Sequence, residues 1–395
     1  MHESRRQFLS TAAGLAALAA LGKARGQEAP AGTMPNDSVK AGKVSAMQWH
    51  SERPLTGSVP AYEHDFDVTP TDRMFVRNNL LTPTIDPTKH RISIKGLVDK
   101  ELEFSLEDFK ANFAPLTMQG MLECAGSGRS NYKPAASGTP WLATGGMGCP
   151  TWTGARLRDV LNICGLKPGA VHVAGHGGDP GAIDTAAPVI RSIPLTKAME
   201  ARTLVAWEMN GKPLPTVHGF PLRLVVPGWV GSASTKWLHT IYVLDAPFKG
   251  PYMDLSYRMP RVPVQPGEKM PEDTVIAEAW PIKSMITSPR PEARFRVGEQ
   301  ILITGRAWIG EGEIDHVEVS ADEGRSWFSA RLFGRADKYA WRKFTFPYLA
   351  DNPGKQSFIA RAWDTRGNAQ PQVPVWNPLG YFWNGWHRVE VVVEA

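Results

Sequence analysis

Apolar and polar positions alternate differently along the chain, and the alternation divides it into two bodies behind a leader and an arm. From about residue 282 onward, apolar residues recur every second position in short runs separated by turn residues. That period predicts strands at 301–307, 314–320, 326–332, 340–346, 356–364 and 386–393, with Asp322-Glu323-Gly324 as a tight turn between two of them. Such a series predicts an immunoglobulin-like β-sandwich over 273–395. Upstream, residues 71–272 mix short apolar runs at 90–98 and 222–227 with helical spacing at 105–113 and 156–161, which predicts an α+β body. Ser105 is suited to cap the first of these helices, with Glu107 and Asp108 where the helix dipole favours negative charge. A Pro-rich stretch over 260–272 marks the boundary between the bodies.

Residues 27–70 are polar and punctuated by Gly and Pro, and read as an extended arm. Residues 1–26 carry Ser4-Arg5-Arg6-Gln7-Phe8-Leu9, then a small-residue apolar run to Gly22 and a short polar stretch. This is the pattern of a twin-arginine export signal. The apolar run is too short to span a bilayer, and no later segment offers eighteen uninterrupted apolar residues. The expectation is a mature protein in the periplasm with no membrane span.

Composition narrows the chemistry. A net charge of +5, carried by scattered rather than clustered basic residues, gives a nucleic-acid partner no support. Three cysteines in no CxxC arrangement indicate neither a disulfide framework nor a cysteine-built zinc site. The absence of CxxCH removes the usual attachment point for a c-type haem. Cys164 lies in an apolar helical run and reads as packed, and Cys149 has no distinguishing context. Cys124 differs. In Met121-Leu122-Glu123-Cys124-Ala125-Gly126-Ser127-Gly128-Arg129, small residues leave room for a bulky group to reach the sulfur, and Arg129 favours a thiolate, a soft ligand for a transition metal.

This segment resembles the metal-binding motif of the sulfite oxidase family, a Cys-Ala-Gly followed closely by Arg. Three further segments match in order: Phe75-Val76-Arg77-Asn78-Asn79 is similar to the family's early arginine motif, His218-Gly219-Phe220-Pro221-Leu222-Arg223 with Val225-Val226-Pro227-Gly228 to its pterin-binding stretch, and Ser234-Thr235-Lys236-Trp237-Leu238 to the segment closing over the cofactor. In the second body, Arg361-Ala362-Trp363-Asp364, Trp376-Asn377-Pro378 and Trp386-His387-Arg388-Val389 resemble the family's dimerisation domain. The resemblance runs from about Phe75 to the C-terminus.

The resemblance implies one molybdenum-molybdopterin per chain, with Cys124 as the protein's ligand to the metal. It implies cofactor contacts at Arg77, Asn78, Asn79, Asp179, His218, Arg223, Ser234, Thr235 and Lys236, and catalytic roles for Arg77, Arg129 and Tyr257, with Tyr252 as the alternative tyrosine. It also implies a homodimer and a small anionic sulfur substrate. The residue types fit, since a phosphate-bearing pterin calls for the cations His218, Arg223 and Lys236, and an anionic substrate for Arg77 and Arg129. Gly219, Gly228 and Gly231 would let the backbone approach a ligand or form tight turns. Two positions depart from the animal enzymes: Asn79 stands where they have His, and Leu379 where they have a substrate-contacting Arg. The expected reaction is oxidation of sulfite, with electrons leaving to a separate c-type cytochrome. A sulfane dehydrogenase subunit, another molybdopterin enzyme on the same scaffold, and a cofactor-free secreted binding protein are the alternatives.

Overall fold

The computed structural model describes residues 32–141, 144–183 and 185–395; the export signal lies outside the described residues. In the first body, helix Leu106–Asn112 starts where its cap dictates, with Ser105 Oγ accepting the Asp108 N–H at 3.0 Å. Its one fully buried side chain, Phe109, meets the rings of Phe104, Phe113 and Trp207. Helix Leu157–Cys164 buries Leu157, Val160, Leu161 and Cys164, an i, i+3, i+4, i+7 stripe facing the core.

These helices flank two five-stranded sheets. One runs in the order Ile190–Pro194, His172–Gly177, Leu238–Leu244, Arg91–Gly96, Leu102–Ser105, and only its third and fourth strands pair in parallel. In the other, Lys212–Pro213, Leu204–Met209, Thr151–Arg156 and Pro115–Gln119 follow one another, with Arg223–Val225 paired to Leu204–Met209. The segment expected as an extended arm folds onto this body. Helix Asn36–Ala41 is followed by strands Gln48–Glu52 and Leu55–Ser58, and the latter pairs with Val76–Arg77. Val39 and Leu55 are buried against Val76 and Val217. The segment's polarity hid these few anchors, which have no period of their own.

In the second body, eight strands form one hydrogen-bonded path that folds over on itself, so that Lys283–Ser288 lies against Gly354–Asp364 and His387–Glu394 without pairing to either. A core including Ile301, Ile303, Val317, Phe344, Phe358 and Val391 fills the space between. The six strands with period-two alternation are present, with ends shifted by up to three residues. Two others carry no such signal: Lys283–Ser288 is buried along nearly its whole length and so does not alternate, and Arg294–Arg296 is a three-residue edge strand.

The two bodies share one core, in which Trp280, Met285, Trp308, Trp341 and Tyr381 join the apolar residues of the first body. At its centre Glu123 and Lys283, 4% and 2% exposed, form an ion pair at 2.8 Å. Trp308 Nε1 donates to the other Glu123 oxygen at 2.7 Å, and Trp280 Nε1 donates to the Glu123 carbonyl at 3.2 Å. The residue preceding Cys124 is thereby fixed to the second body.

Candidate active site

A cavity that encloses about 750 Å³ together with the open solvent at its entrance lies where strand ends and loops of the first body converge. Arg77 reaches it from the end of Val76–Arg77, Cys124 from the residue after Leu122–Glu123, His218 from the turn Thr216–His218, and Arg223 from the start of Arg223–Val225. Ser234, Thr235 and Lys236 line it from the connection leading into Leu238–Leu244; Asn79, Asp179 and Tyr257 complete the set. Three expected residues lie elsewhere. Asn78 sits behind the wall, fully buried, donating to Thr82 Oγ1 at 2.7 Å and accepting from Lys236 Nζ. Arg129 does not line the cavity: its Nε donates to the Leu379 carbonyl at 2.8 Å, and its guanidinium lies 5.4 Å from the Tyr381 ring centre. Tyr252 is packed against the core outside the wall, where burial pushes its hydroxyl up to about 12.

Cys124 is half-buried, and its loop is pinned by its own N–H donating to the Gly146 carbonyl at 2.8 Å and by the Ser127 N–H returning to its carbonyl at 3.0 Å. Burial pushes the other two thiols up, Cys149 to about 12 and Cys164 to about 11, which leaves them protonated and inert. Among the described residues no group of three or more His, Cys, Asp or Glu could hold a metal. A metal at Cys124 would therefore draw its remaining donors from a cofactor, as a soft thiolate beside dithiolene sulfurs permits.

The electrostatics of the cavity favour an anion. Arg77, Arg223 and Lys236 line it, and Asp179 is the one carboxylate among the lining residues. Burial first, and then Arg223, Arg77 and Lys43, hold the Lys236 ammonium well below its usual range, with Asp179 opposing them. Burial raises Asp179 despite the attraction of Lys236. Arg223 spends two nitrogens on protein, donating to the His218 carbonyl at 2.8 Å and the Ser234 carbonyl at 3.1 Å, while its Nε is buried with no partner among the described residues. Ser232 Oγ, also at the cavity, is likewise buried with no partner among the described residues. Orphaned donors beside under-compensated cations fit a phosphate-bearing cofactor. Gly219, with φ at 111°, lets the chain turn where a Cβ would come within 3.2 Å of Lys236. Gly228 faces no ligand: a Cβ there would strike the Gly310 carbonyl across the junction of the two bodies.

Two lining aromatics, Trp237 (φ 52°) and Tyr257 (φ 56°), occupy the left-handed region that bulky residues avoid. Surrounding contacts hold them there. Trp237 Nε1 donates to the Thr216 carbonyl at 2.7 Å, and the Tyr257 carbonyl accepts from the Ala277 N–H at 2.7 Å. The Tyr257 ring stacks on Tyr381 with centres 5.7 Å apart, lies under the buried Arg191 guanidinium at 4.8 Å, and presents its hydroxyl to Asn79 Oδ1 at 3.2 Å. Sequence reasoning missed Lys43, Ser232, Arg191 and Tyr381. Only Tyr381 carried a signal, three residues beyond the Trp376-Asn377-Pro378 motif.

The model of the oxidoreductase molybdopterin-binding domain matches residues 79–252, and that of the Mo-co oxidoreductase dimerisation domain matches residues 274–394. Sulfite oxidase of Gallus gallus is 34% identical over 360 residues, covering 86% of this chain and 76% of that protein. The mitochondrial sulfite oxidase of Homo sapiens is 35% identical over 366 residues, covering 88% of this chain and 66% of that one. Among solved structures, the sulfane dehydrogenase SoxCD from Paracoccus pantotrophus superposes with a TM-score of 0.76 at 26% identity, covering 94% of this chain and 96% of its counterpart. With its two bodies in this order and Cys124 lining a cavity beside Arg77, Arg223 and Lys236, the chain belongs to the sulfite oxidase family of molybdopterin oxidoreductases.

Proposed function

We propose that this chain oxidises sulfite to sulfate in the periplasm, after export by the twin-arginine route, and passes the electrons to a separate c-type cytochrome. The observation that carries the reading is the placement of Cys124, Arg77 and Tyr257 around one cavity whose wall holds Arg223 and Lys236. Overall, sulfite and water give sulfate, two protons and two electrons. Bound through Cys124, the molybdenum cofactor supplies oxygen-atom transfer and a store for the two electrons. The chain's own residues supply the setting. Arg223, Lys236, His218, Ser232, Ser234 and Thr235 would hold the pterin and its phosphate, with Asp179 and Asn79 as acceptors for its ring donors. Arg77 attracts the sulfite dianion, and the Tyr257 hydroxyl, already held by Asn79, stands ready to hydrogen-bond the reacting oxygen or relay a proton. Arg129 stands one layer back, stacked on Tyr381, and supports Tyr257 through that ring.

The chain works as a homodimer through its C-terminal body. The sequence offers no haem attachment motif, so the electrons leave the chain through its surface. A specific observation favours a second reading, oxidation of sulfane sulfur: SoxCD, named a sulfane dehydrogenase, matches over almost the whole of both chains. Asn79, which lines the cavity where the animal enzymes have a basic residue, points the same way, since a less basic pocket suits a substrate of lower charge. The test is turnover of protein purified from the periplasm, with cytochrome c or ferricyanide as acceptor and molybdenum measured alongside. Sulfite-dependent reduction is expected. No turnover with either acceptor would end the sulfite reading, and turnover with carrier-bound sulfane sulfur instead would establish the second. Protein without molybdenum would leave only a secreted binding protein.

A further inference from the structure

Lys43 belongs to the polar segment before the first body, and no motif marks it. Its Nζ meets two residues that line the cavity, Met74 and His218, and has three acceptors: the carbonyls of Thr71 at 2.8 Å and Met74 at 2.9 Å, and His218 Nε2 at 2.7 Å. An ammonium carries three protons and no lone pair. Each proton thus has one acceptor, and His218 Nε2 must offer its lone pair. A neutral imidazole has a single N–H, which then sits on Nδ1. Nδ1 makes no hydrogen bond to a described residue, and His218 lines the cavity.

We infer that Lys43 is a positioning residue: it locks His218 in the Nδ1–H tautomer and so turns the imidazole into a hydrogen-bond donor toward the cofactor. The inference deepens the reading of the cavity as the cofactor's site and rests on it. The surroundings agree on a neutral ring. Burial, and then Lys43, Lys236 and Arg223, hold His218 well below its usual range. The His218 carbonyl is fixed in turn by Arg223 Nη1, so ring and guanidinium are placed as one unit. The opposite arrangement, with a neutral Lys43 amine accepting from Nε2–H, would point a lone pair into the cavity. That arrangement needs Lys43 to lose its proton; burial brings its pKa down to about 7, with Asp72 opposing the fall, so the lock belongs to the pH range below 7, where the ammonium persists, and the tautomer is read there. A donor at this position suits a ligand edge rich in oxygen and nitrogen acceptors, such as a pterin phosphate.

Long-range proton–nitrogen correlation spectra of the full chain, labelled with ¹⁵N-histidine and freed of cofactor, read the tautomer directly, with His218→Gln identifying the signal. Protonated Nδ1 and bare Nε2 are expected. Lys43→Met should release the ring into the other tautomer or a mixture, and should speed cofactor loss from the loaded protein by roughly tenfold, the worth of one hydrogen bond. Lys43→Arg keeps a donor at Nε2 and should restore both. Lys43→Met also strips the Thr71 and Met74 carbonyls of their donor, so the wild-type spectrum is the arm that does not depend on the variant folding. A wild-type ring protonated on Nε2, or an unchanged tautomer in Lys43→Met, would overturn the lock. An intact lock with unchanged cofactor loss in Lys43→Met would overturn its role toward the cofactor, and wild-type protein lacking molybdopterin would remove the site reading itself.

Discussion

At the scale of single residues, the site separates groups that touch the chemistry from groups that aim them. Cys124→Ser replaces a soft thiolate by a hydroxyl that binds molybdenum poorly, and should bring sulfite turnover to background with the circular dichroism unchanged. Turnover above background in that variant would show that the metal is held elsewhere. Tyr257→Phe is a finer probe. It removes the hydroxyl at 3.2 Å from Asn79 Oδ1 but keeps the stack on Tyr381 and the guanidinium of Arg191 above the ring. A fall in kcat of about 10²-fold, the low end for general acid–base assistance, is expected with melting temperature unchanged. A wild-type kcat would reduce Tyr257 to a packing residue. What the sequence made legible here was the part carried by contiguous motifs: Cys124 with its glycines, the Arg77 segment, the His218–Arg223 stretch. Lys43 and Arg191 were illegible because each acts on a residue far away in the chain, at separations that no local pattern records.

At the scale of elements, the stability of the site depends on groups that pin one strand to another. Glu123 ends a two-residue strand, and Lys283 opens the first strand of the second body, so their buried pair joins Cys124 to the sandwich. Breaking one side of such a pair strands a charge. Lys283→Met should cost about 3–5 kcal/mol of unfolding free energy in urea melts and lower the molybdenum content, whereas Glu123→Gln with Lys283→Met should recover much of both. A single variant as stable as wild type would contradict this. His387 pins the sandwich in a second way: buried at the start of strand His387–Glu394, it accepts the Ile286 N–H on Nδ1 at 3.1 Å. Burial, and then Lys283, lower its pKa from 6.5 to about 4. The unfolded chain therefore binds the proton first, and stability present above pH 6.5 is lost as pH falls toward 4, by about 3 kcal/mol for this group alone. His387→Asn, which can offer an oxygen at the Nδ1 position, should flatten that part of the stability–pH curve; an unchanged acid slope would assign it to other groups. Alternating strands were legible at this scale because one face of each meets solvent. The pinning strand Lys283–Ser288 was not, because burial on both faces erases the period.

At the scale of the whole molecule, order and class of the two bodies were readable from the change of period near residue 282, but the way they join was not. The shared core draws on tryptophans at 280, 308 and 341, whose partners lie in the first body, and a sequence pattern registers only that such residues are large and apolar. The outer surface of the sandwich poses the remaining question. Leu302 and Leu349, 55% and 59% exposed, lie on adjacent antiparallel strands, and Leu302 stands directly opposite Pro347. These three alternate with inward residues such as Ile301 and Ile303, so they form one outward apolar strip on a body whose family model is named for dimerisation. A contiguous exposed apolar strip, unlike single exposed residues, is a feature of interaction faces. If the homodimer forms across this strip, Leu302→Glu places a charge opposite its own symmetry copy, because an isologous interface presents the same residues from both sides. Light scattering coupled to size-exclusion chromatography should then report a monomer with wild-type molybdenum content, since every residue lining the cavity belongs to the first body of the same chain. A dimer of unchanged mass would move the interface to another face of the sandwich.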